Sequence, residues 1–117
     1  MSFRQEPGAY AVECYDRQGR IVRYTRSNYE RHLQKHPEMD GFAEDIATDI
    51  QDPDIEIDAD NGHIYLYRTG LGAPKYERLW LFVVVLYGST NGQYEGVVKT
   101  AYFTSKLPKD GELTWKR

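Results

Sequence analysis

Apolar and polar residues alternate in two short segments near the start of the chain, residues 9–15 and 20–24. Such alternation indicates β-strands with one buried face, and the polar residues 16–19 between the segments are typical of a turn. We therefore predict an N-terminal β-hairpin. Residues 1–8, ahead of it, show no regular period and are expected to form a flexible leader.

A helical period follows the hairpin. Four residues would share one helix face at positions i, i+3, i+4 and i+7, namely Tyr29, His32, Leu33 and His36. Ser27 and Glu30 have the spacing of a capping box at the start of a helix. Pro37 disfavours helical geometry in the residue before it, so the first predicted helix covers residues 28–36.

A second apolar stripe at helical spacing predicts another helix over residues 40–51. The stripe consists of Met39, Phe42, Ala43, Ile46, Ala47 and Ile50. Asp40 is suited to the N-cap position of this helix, and Pro53 marks its end.

The period returns to two in the second half of the chain. Strands are predicted around Ile55 and Ile57 and over residues 63–68, 78–87 and 94–106. Runs of strands and helices, rather than their alternation, indicate an α+β fold. We predict one domain, residues 1–117 with its core at about 9–107, in which the hairpin and two helices precede a four-stranded antiparallel meander, with the helices on one face.

The net charge of −3 argues against a polyanionic partner, but the distribution of charge changes this conclusion. Residues 38–60 contain ten acidic residues and no Lys or Arg, so all fifteen basic residues share the rest of the chain with eight acidic ones. Six of the fifteen basic residues surround the first predicted helix, namely Arg17, Arg20, Arg23, Arg26, Arg31 and Lys35. This pattern predicts a basic sector that contacts nucleic acid. Ordinary solvated surface charge is the alternative interpretation.

Two histidines at the end of the first predicted helix are candidates for proton transfer. The imidazole pKa lies near neutrality, which suits His32 and His36 to acid–base chemistry. A helix C-terminus would favour their protonated form. The alternative is that one or both histidines pack beside the core, since structural sites also collect histidines.

The last predicted strand places hydroxyl groups and a cation on one face. Alternation would align Val98, Thr100, Tyr102, Thr104 and Lys106. Hydroxyl donors and a positive charge are what a phosphodiester needs when it undergoes transesterification. Thr and Tyr are also good strand formers, so a purely structural role remains the alternative.

Metal and cofactor chemistry is not predicted, and neither is a membrane segment. His32 and His36 have the spacing of helical metal ligands, but no zincin glutamate lies between them and the lone Cys14 completes no zinc site. A single cysteine also excludes an internal disulfide, which suits the reducing cytoplasm. No signal peptide is recognisable, and the longest apolar run, residues 79–87, is too short to span a membrane.

Several short motifs occur in a fixed order along the chain. They are His-Pro-Glu at residues 36–38, Pro-Asp at 53–54, Arg68 after aromatic residues, a valine-rich strand, and Thr-Ala-Tyr-Phe-Thr-Ser-Lys at 100–106. With these motifs, over about residues 10–107, the chain resembles the phage-associated barnase–EndoU–colicin–RelE-like (BECR fold) nucleases.

The resemblance implies a small ribonuclease that works without a metal ion, in the manner of toxins and mobile-element proteins. In that chemistry the ribose 2′-OH attacks its own 3′-phosphate and leaves a 2′,3′-cyclic phosphate. A base takes the 2′-OH proton, an acid protonates the departing 5′-oxygen, and cations stabilise the phosphorane.

Carried over by position, the resemblance assigns a role to each candidate residue. His36 would be the acid or base, Arg68 and Lys106 would hold phosphate, and Thr104 would donate a hydrogen bond. The predicted substrate-binding residues are His32, Thr100, Tyr102, Arg23, Arg26 and Arg31, with His32 also a candidate for the partner acid or base.

RNA, including tRNA, is therefore the predicted substrate, and an antitoxin or immunity protein is a predicted partner. Two other functions remain open. The chain would be an RNA- or protein-binding module of the same fold if its candidate residues were buried instead of lining a cleft. It would be an antitoxin- or immunity-type partner if residues 38–60 acted as an acidic decoy for a basic surface.

Overall fold

Seven β-strands form one mixed sheet, on which two helices pack. The structure, a computed structural model, describes residues 8–72, 74–90, 92–107 and 111–116. Of the predicted leader, only Gly8 lies among the described residues, and the rest falls outside them.

The strands and helices occur in this order along the chain: β1 (Tyr10–Tyr15), β2 (Ile21–Thr25), α1 (Arg26–His32), α2 (Ala43–Gln51), β3 (Ile55–Asp58), β4 (His63–Arg68), β5 (Trp80–Thr90), β6 (Gln93–Thr104) and β7 (Glu112–Lys116). Short 3₁₀ turns lie at Pro37–Met39 and Pro74–Tyr76. The sequence predicts that the core ends at about residue 107, but the strand β7 lies beyond that position.

The strand order is β1-β2-β6-β5-β4-β3-β7, so the predicted four-stranded meander is wrong. The hairpin β1–β2 joins the sheet through β2, which runs parallel to β6 with Val22 opposite Gly96. At the other edge β7 pairs with β3. Both pairings, β2 with β6 and β3 with β7, join segments that are distant in sequence, so a local hydrophobic period cannot predict them.

The first helix begins and ends earlier than the sequence predicts. Thr25, the last residue of β2, already has the extended backbone of an N-cap, and its Oγ1 accepts a hydrogen bond from the Asn28 N–H at 3.2 Å. The predicted capping box at Ser27 and Glu30 is therefore wrong, because Thr25 is the N-cap. The helix ends at His32, and His36 is not helical (φ −130°, ψ 66°).

The second helix starts at Ala43 rather than at Asp40, which is therefore not its N-cap. Gly41 has a φ of +86°, a left-handed conformation that interrupts any helix at that point. Phe42 occupies the N-cap position without a side-chain hydrogen bond. The buried face of α2 consists of Ile46, Asp49 and Ile50.

The two faces of the sheet carry separate apolar clusters. The inner face packs against both helices and buries Leu66, Leu81, Val83, Val85, Val98 and Ala101 with Tyr29, Ile46 and Ile50. The outer face carries a second cluster formed by Ile55, Ile57, Tyr67, Phe82 and Val84. Strand alternation accounts for this division, since neighbouring residues point to opposite faces.

A β-bulge in β6 changes which residues share a face. Val84 lies opposite Thr100 and Val85 opposite Val98, so Lys99 is the extra residue. Val98 is consequently buried in the inner cluster, whereas Thr100 lies on the outer face with Val84. The predicted alignment of Val98 with Thr100 is therefore wrong.

The hairpin turn is fixed to the sheet by a buried carboxylate. Asp16 accepts hydrogen bonds from the Arg20 Nε and from the Tyr87 hydroxyl, each at 2.7 Å. Burial acts to raise the pKa of Asp16, but the hydrogen bonds from Tyr87 and Arg20 outweigh it and leave this pKa below its usual value. Arg17 in the same turn reaches Glu56 of β3 at 3.5 Å, so the sheet must curve around its inner face.

We expect Ile46→Ala to destabilise the fold. The Ile46 side chain is completely buried, and large-to-small changes at such sites cost about 2–5 kcal/mol. The melting temperature should fall by several degrees, as measured by circular dichroism. Glu44→Ala, an exposed change on the same helix, is the control. An equal effect of the two changes would contradict the assigned helix face.

Candidate active site on the outer sheet face

A groove of about 520 Å³ lies on the outer face of the sheet. Its lining comes from β4, β5 and β6 and from the residues just after β6: Tyr65, Tyr67, Phe82, Val84, Thr100, Tyr102, Thr104, Lys106 and Leu107. The bulge in β6 places Thr100 and Tyr102 on this face. Four of the predicted site residues, Thr100, Tyr102, Thr104 and Lys106, are therefore brought together.

The floor of the groove is a set of aromatic rings in contact. Tyr67 stacks on Phe82 with ring centroids 4.9 Å apart. Tyr65 and Tyr102 each meet Phe82 edge-on, at 5.1 Å. The rings of Tyr67 and Phe82 are buried, while Thr100 and Thr104 are half-buried and Lys106 is exposed. The groove thus combines an apolar floor with a rim of hydroxyl groups and one ammonium group.

His36 lies beside this groove. Its ring stacks on Tyr102 with centroids 4.9 Å apart and planes 16° apart, and about a third of its side chain is exposed. The Nδ1 atom is 3.3 Å from Oε1 of Glu38. A carboxylate at one imidazole nitrogen fixes the ring and leaves the other nitrogen to exchange protons.

Glu38 and the aromatic floor are candidate functional residues that the sequence reasoning missed. The signal for Glu38 was the His-Pro-Glu spacing, because Pro37 turns the chain and brings residues 36 and 38 together. The signal for the floor was the period-two pattern of Tyr65, Tyr67 and Phe82 on adjacent strands.

His32 is directed into the core instead of the groove. Its Nδ1 is 2.5 Å from the hydroxyl of Tyr24. Burial lowers the pKa of His32, and the charges of Arg31, His36 and Lys35 lower it further. The prediction that a helix end would favour its protonated form is wrong, and the packing interpretation accounts for this histidine.

Arg68 does not join the other predicted phosphate ligands. In β4, Arg68 lies on the same face as the buried Leu66, whereas Tyr65 and Tyr67 lie on the opposite face and line the groove. Its Nη1 donates to the backbone carbonyl of Asp52 and, at 2.9 Å, to the Asp52 carboxylate. The carboxylate of Asp54 lies 3.9 Å from its Nε. Arg68 therefore binds the end of α2 to β4.

Half of the predicted basic sector, three of its six residues, is paired with the protein's own carboxylates. Arg17 pairs with Glu56, Arg20 with Asp16, and Arg23 with both Glu13 and Glu95. These arginines are committed to intramolecular contacts, which weakens the case for a broad phosphate-binding surface.

The two remaining predicted arginines also make local contacts. Arg26 donates to the carbonyl of Gly8 at 2.6 Å, and Arg31 donates to the side chain of Asn28 at 2.8 Å. Both lie on α1 rather than along the groove. Within the described residues, the groove itself is lined by a single cationic side chain, that of Lys106.

Asp49 cannot contribute to the acidic decoy surface considered for residues 38–60, because it is buried. Its side chain is completely buried, and neither carboxylate oxygen has a hydrogen-bond partner among the described residues. Burial raises the pKa of Asp49 well above its usual value, with Arg68 opposing this shift and Asp54 adding to it. The neutral acid is the form compatible with this site.

Three further observations bear on the chemistry of the chain. Among the described residues, no group of three or more His, Cys, Asp or Glu side chains is placed to hold a metal ion. Burial, with Asp16 nearby, raises the pKa of the Cys14 thiol to about 11, so the reactive thiolate is disfavoured. Within the same part of the chain, no helix has the length and apolar character needed to cross a membrane.

We expect Asp49→Asn to stabilise the protein increasingly as the pH rises. Unfolding lets Asp49 ionise above its usual pKa of 3.8, whereas the folded state keeps it protonated. The raised pKa therefore lowers wild-type stability progressively above about pH 4, and asparagine removes this penalty. Urea unfolding at pH 3 and pH 7 measures the difference between variant and wild type, with exposed Asp40→Asn as the control. A difference that is the same at both pH values would contradict the assignment.

Comparison with known proteins adds no relative. No protein-family model matches the chain, and no curated protein or solved structure matches it. The resemblance to the nuclease group therefore stays a prediction from motifs.

Proposed function

We propose that the protein is a small endoribonuclease that binds single-stranded RNA in the outer-face groove and cleaves it by 2′-OH transesterification without a metal ion. One observation carries the proposal: an imidazole with a carboxylate partner stacks on a ring of the groove, whose rim also holds hydroxyl groups and an ammonium group. Proton transfer, hydrogen bonding and charge stabilisation thus meet beside one surface.

The groove suits a single strand because its floor offers ring surfaces. Nucleobases stack on aromatic side chains regardless of sequence, and unpaired bases alone can reach such a surface. Tyr65 and Tyr102 are the half-buried rings of this floor, and His36 already covers one face of Tyr102. Lys106 would contact a phosphate at the rim, and the hydroxyls of Thr100 and Thr104 would donate hydrogen bonds to its non-bridging oxygens.

In the reaction, a bond forms between the ribose 2′-oxygen and phosphorus while the bond from phosphorus to the 5′-oxygen breaks. His36 takes the proton from the 2′-OH as a base and returns it, as an acid, to the departing 5′-oxygen. Glu38 orients the imidazole ring through its contact with Nδ1. Lys106 offsets the extra negative charge of the phosphorane. The products are a 2′,3′-cyclic phosphate and a free 5′-hydroxyl.

We also place the protein in the cytoplasm, where RNA is available and a lone buried cysteine stays reduced. An antitoxin or immunity protein that covers the groove would be its natural inhibitor.

A non-catalytic RNA-binding module is the second candidate function. Arg68 is held by Asp52 and Asp54, and three further arginines are paired with acids, so little positive charge is directed at a phosphorane. Binding by stacking needs less charge than transition-state stabilisation does. The two candidates differ in whether RNA is cleaved.

His36→Ala should preserve the fold and lower the rate of RNA cleavage roughly 10²–10⁴-fold, the usual contribution of an acid–base group. Lys106→Ala should lower the rate as well by removing the charge at the rim. Both rates are measured with a fluorescently labelled single-stranded RNA. His32→Ala is the matched control, because this histidine packs in the core and should affect thermal stability more than rate.

Full activity of the His36→Ala variant would refute the assignment of His36. If the wild-type protein bound RNA but left it intact, the binding-module function would replace the nuclease function.

Cleavage should persist when excess chelator is present, since His36, Glu38 and Lys106 supply the proton transfer and charge that the reaction needs. The test is gel analysis of labelled tRNA and mixed RNA incubated with and without EDTA. Activity that disappears with EDTA and returns with magnesium would show that a metal ion takes part.

A further inference from the structure

A second cleft, of about 400 Å³, opens between the β1–β2 hairpin and the start of β6, and we call it the hairpin cleft. Its lining includes Tyr15, Arg20, Ile21, Arg23, Tyr94 and Glu95. Two of these residues are aromatic and unusually exposed: Tyr15 is 63% and Tyr94 is 50% accessible to solvent. An exposed ring that lines a concave surface offers a nucleobase a face on which to stack.

Most of the hairpin cleft's lining lies on the same side of the sheet as the groove, whereas Tyr94 lies on the inner side with Gly96 and Val98. In β1 the exposed Tyr15 follows the buried Cys14, and in β2 Arg23 follows the buried Val22. Glu95 of β6 precedes the buried Gly96 and shares the outer side. Along β6, Glu95 and Tyr102 are seven residues apart, which corresponds to about 23 Å of strand. The strand β6 therefore connects the two sites.

The two rings of the hairpin cleft differ in their surroundings: Tyr94 is held at its inner-side edge, and Tyr15 is exposed on the groove's side. Tyr94 stacks on the buried Tyr87 with centroids 5.7 Å apart and planes 8° apart. The guanidinium of Arg20 lies 4.1 Å from the centroid of Tyr87 and 5.8 Å from that of Tyr94. These contacts close the cleft from the inner side and leave Tyr15 as the ring that a strand on the outer side can reach.

Charge contributes little to this cleft. Arg20 is paired with Asp16, and Arg23 is held by Glu13 at 2.8 Å and Glu95 at 3.3 Å. A ligand would therefore be held by ring contacts more than by ionic attraction, and its binding should depend weakly on salt.

We infer that the hairpin cleft is a second base-stacking subsite for the RNA strand that occupies the groove, so that one single strand extends along β6 between Tyr102 and Tyr15. This inference rests on the proposed function and extends it from a cleavage site to a substrate class, single strands long enough to reach both sites. The occupant follows from the continuity of the two sites on one strand and from the stacking surfaces that both present.

Binding of 2′-O-methyl oligonucleotides, which cannot undergo 2′-OH attack, tests the inference without cleavage. At 3.4 Å per stacked nucleotide a trinucleotide covers about 10 Å and a 12-mer about 40 Å, so only the 12-mer reaches both sites. Fluorescence anisotropy should show tighter binding of the 12-mer. Tyr15→Ala should weaken 12-mer binding roughly 5- to 150-fold and leave trinucleotide binding unchanged.

Two matched variants control for indirect effects. Tyr15→Phe keeps the ring and should bind the 12-mer like the wild type, and Leu113→Ala removes an equally exposed apolar side chain on β7 with no expected effect. If Tyr15→Ala bound the 12-mer like the wild type while trinucleotide binding and RNA cleavage persisted, the second subsite would be refuted and the proposed function would stand. If the wild type bound neither oligonucleotide, both would be refuted.

Discussion

The bulge at Lys99 is the constraint on which both the core and the candidate site depend. Ahead of it, Val98 faces the helices and packs against the inner cluster. Without the extra residue, strict alternation would direct Thr100 inward and Ala101 outward. With it, Ala101 is buried against the helices and Thr100 reaches the groove. One strand thereby closes the core on one face and lines the groove on the other.

The early end of α1 determines the position of His36, the imidazole beside the groove. Because the helix stops at His32, the following turn and Pro37 place the ring of His36 against Tyr102. The charged side chains are divided between the two regions in a similar way. Most arginines of the hairpin are used to hold strands together, so the groove relies on ring stacking, one imidazole–carboxylate pair and Lys106. A protein of this kind would bind RNA with modest affinity and weak salt dependence.

Local patterns in the sequence were sufficient to locate individual elements but insufficient to arrange them. Ile55 and Ile57 mark a strand, and Ile46 and Ile50 mark a helix face, because each pattern depends only on near neighbours. The parallel pairing of β2 with β6, the ion pairs of Arg68 and the burial of Asp49 depend on partners far along the chain. Thr100, Thr104 and Lys106 could be grouped from alternation, whereas the bulge that separates them from Val98 could not.

Photo-cross-linking tests the central claim, that single-stranded RNA lies on the outer-face groove beside His36. A 4-thiouridine-containing oligonucleotide is bound, irradiated and digested, and the modified residues are identified by mass spectrometry. The structural account predicts adducts at the groove rings, Tyr65 and Tyr102. Adducts confined to α1 around Arg26 and Arg31, with none on the groove, would contradict it.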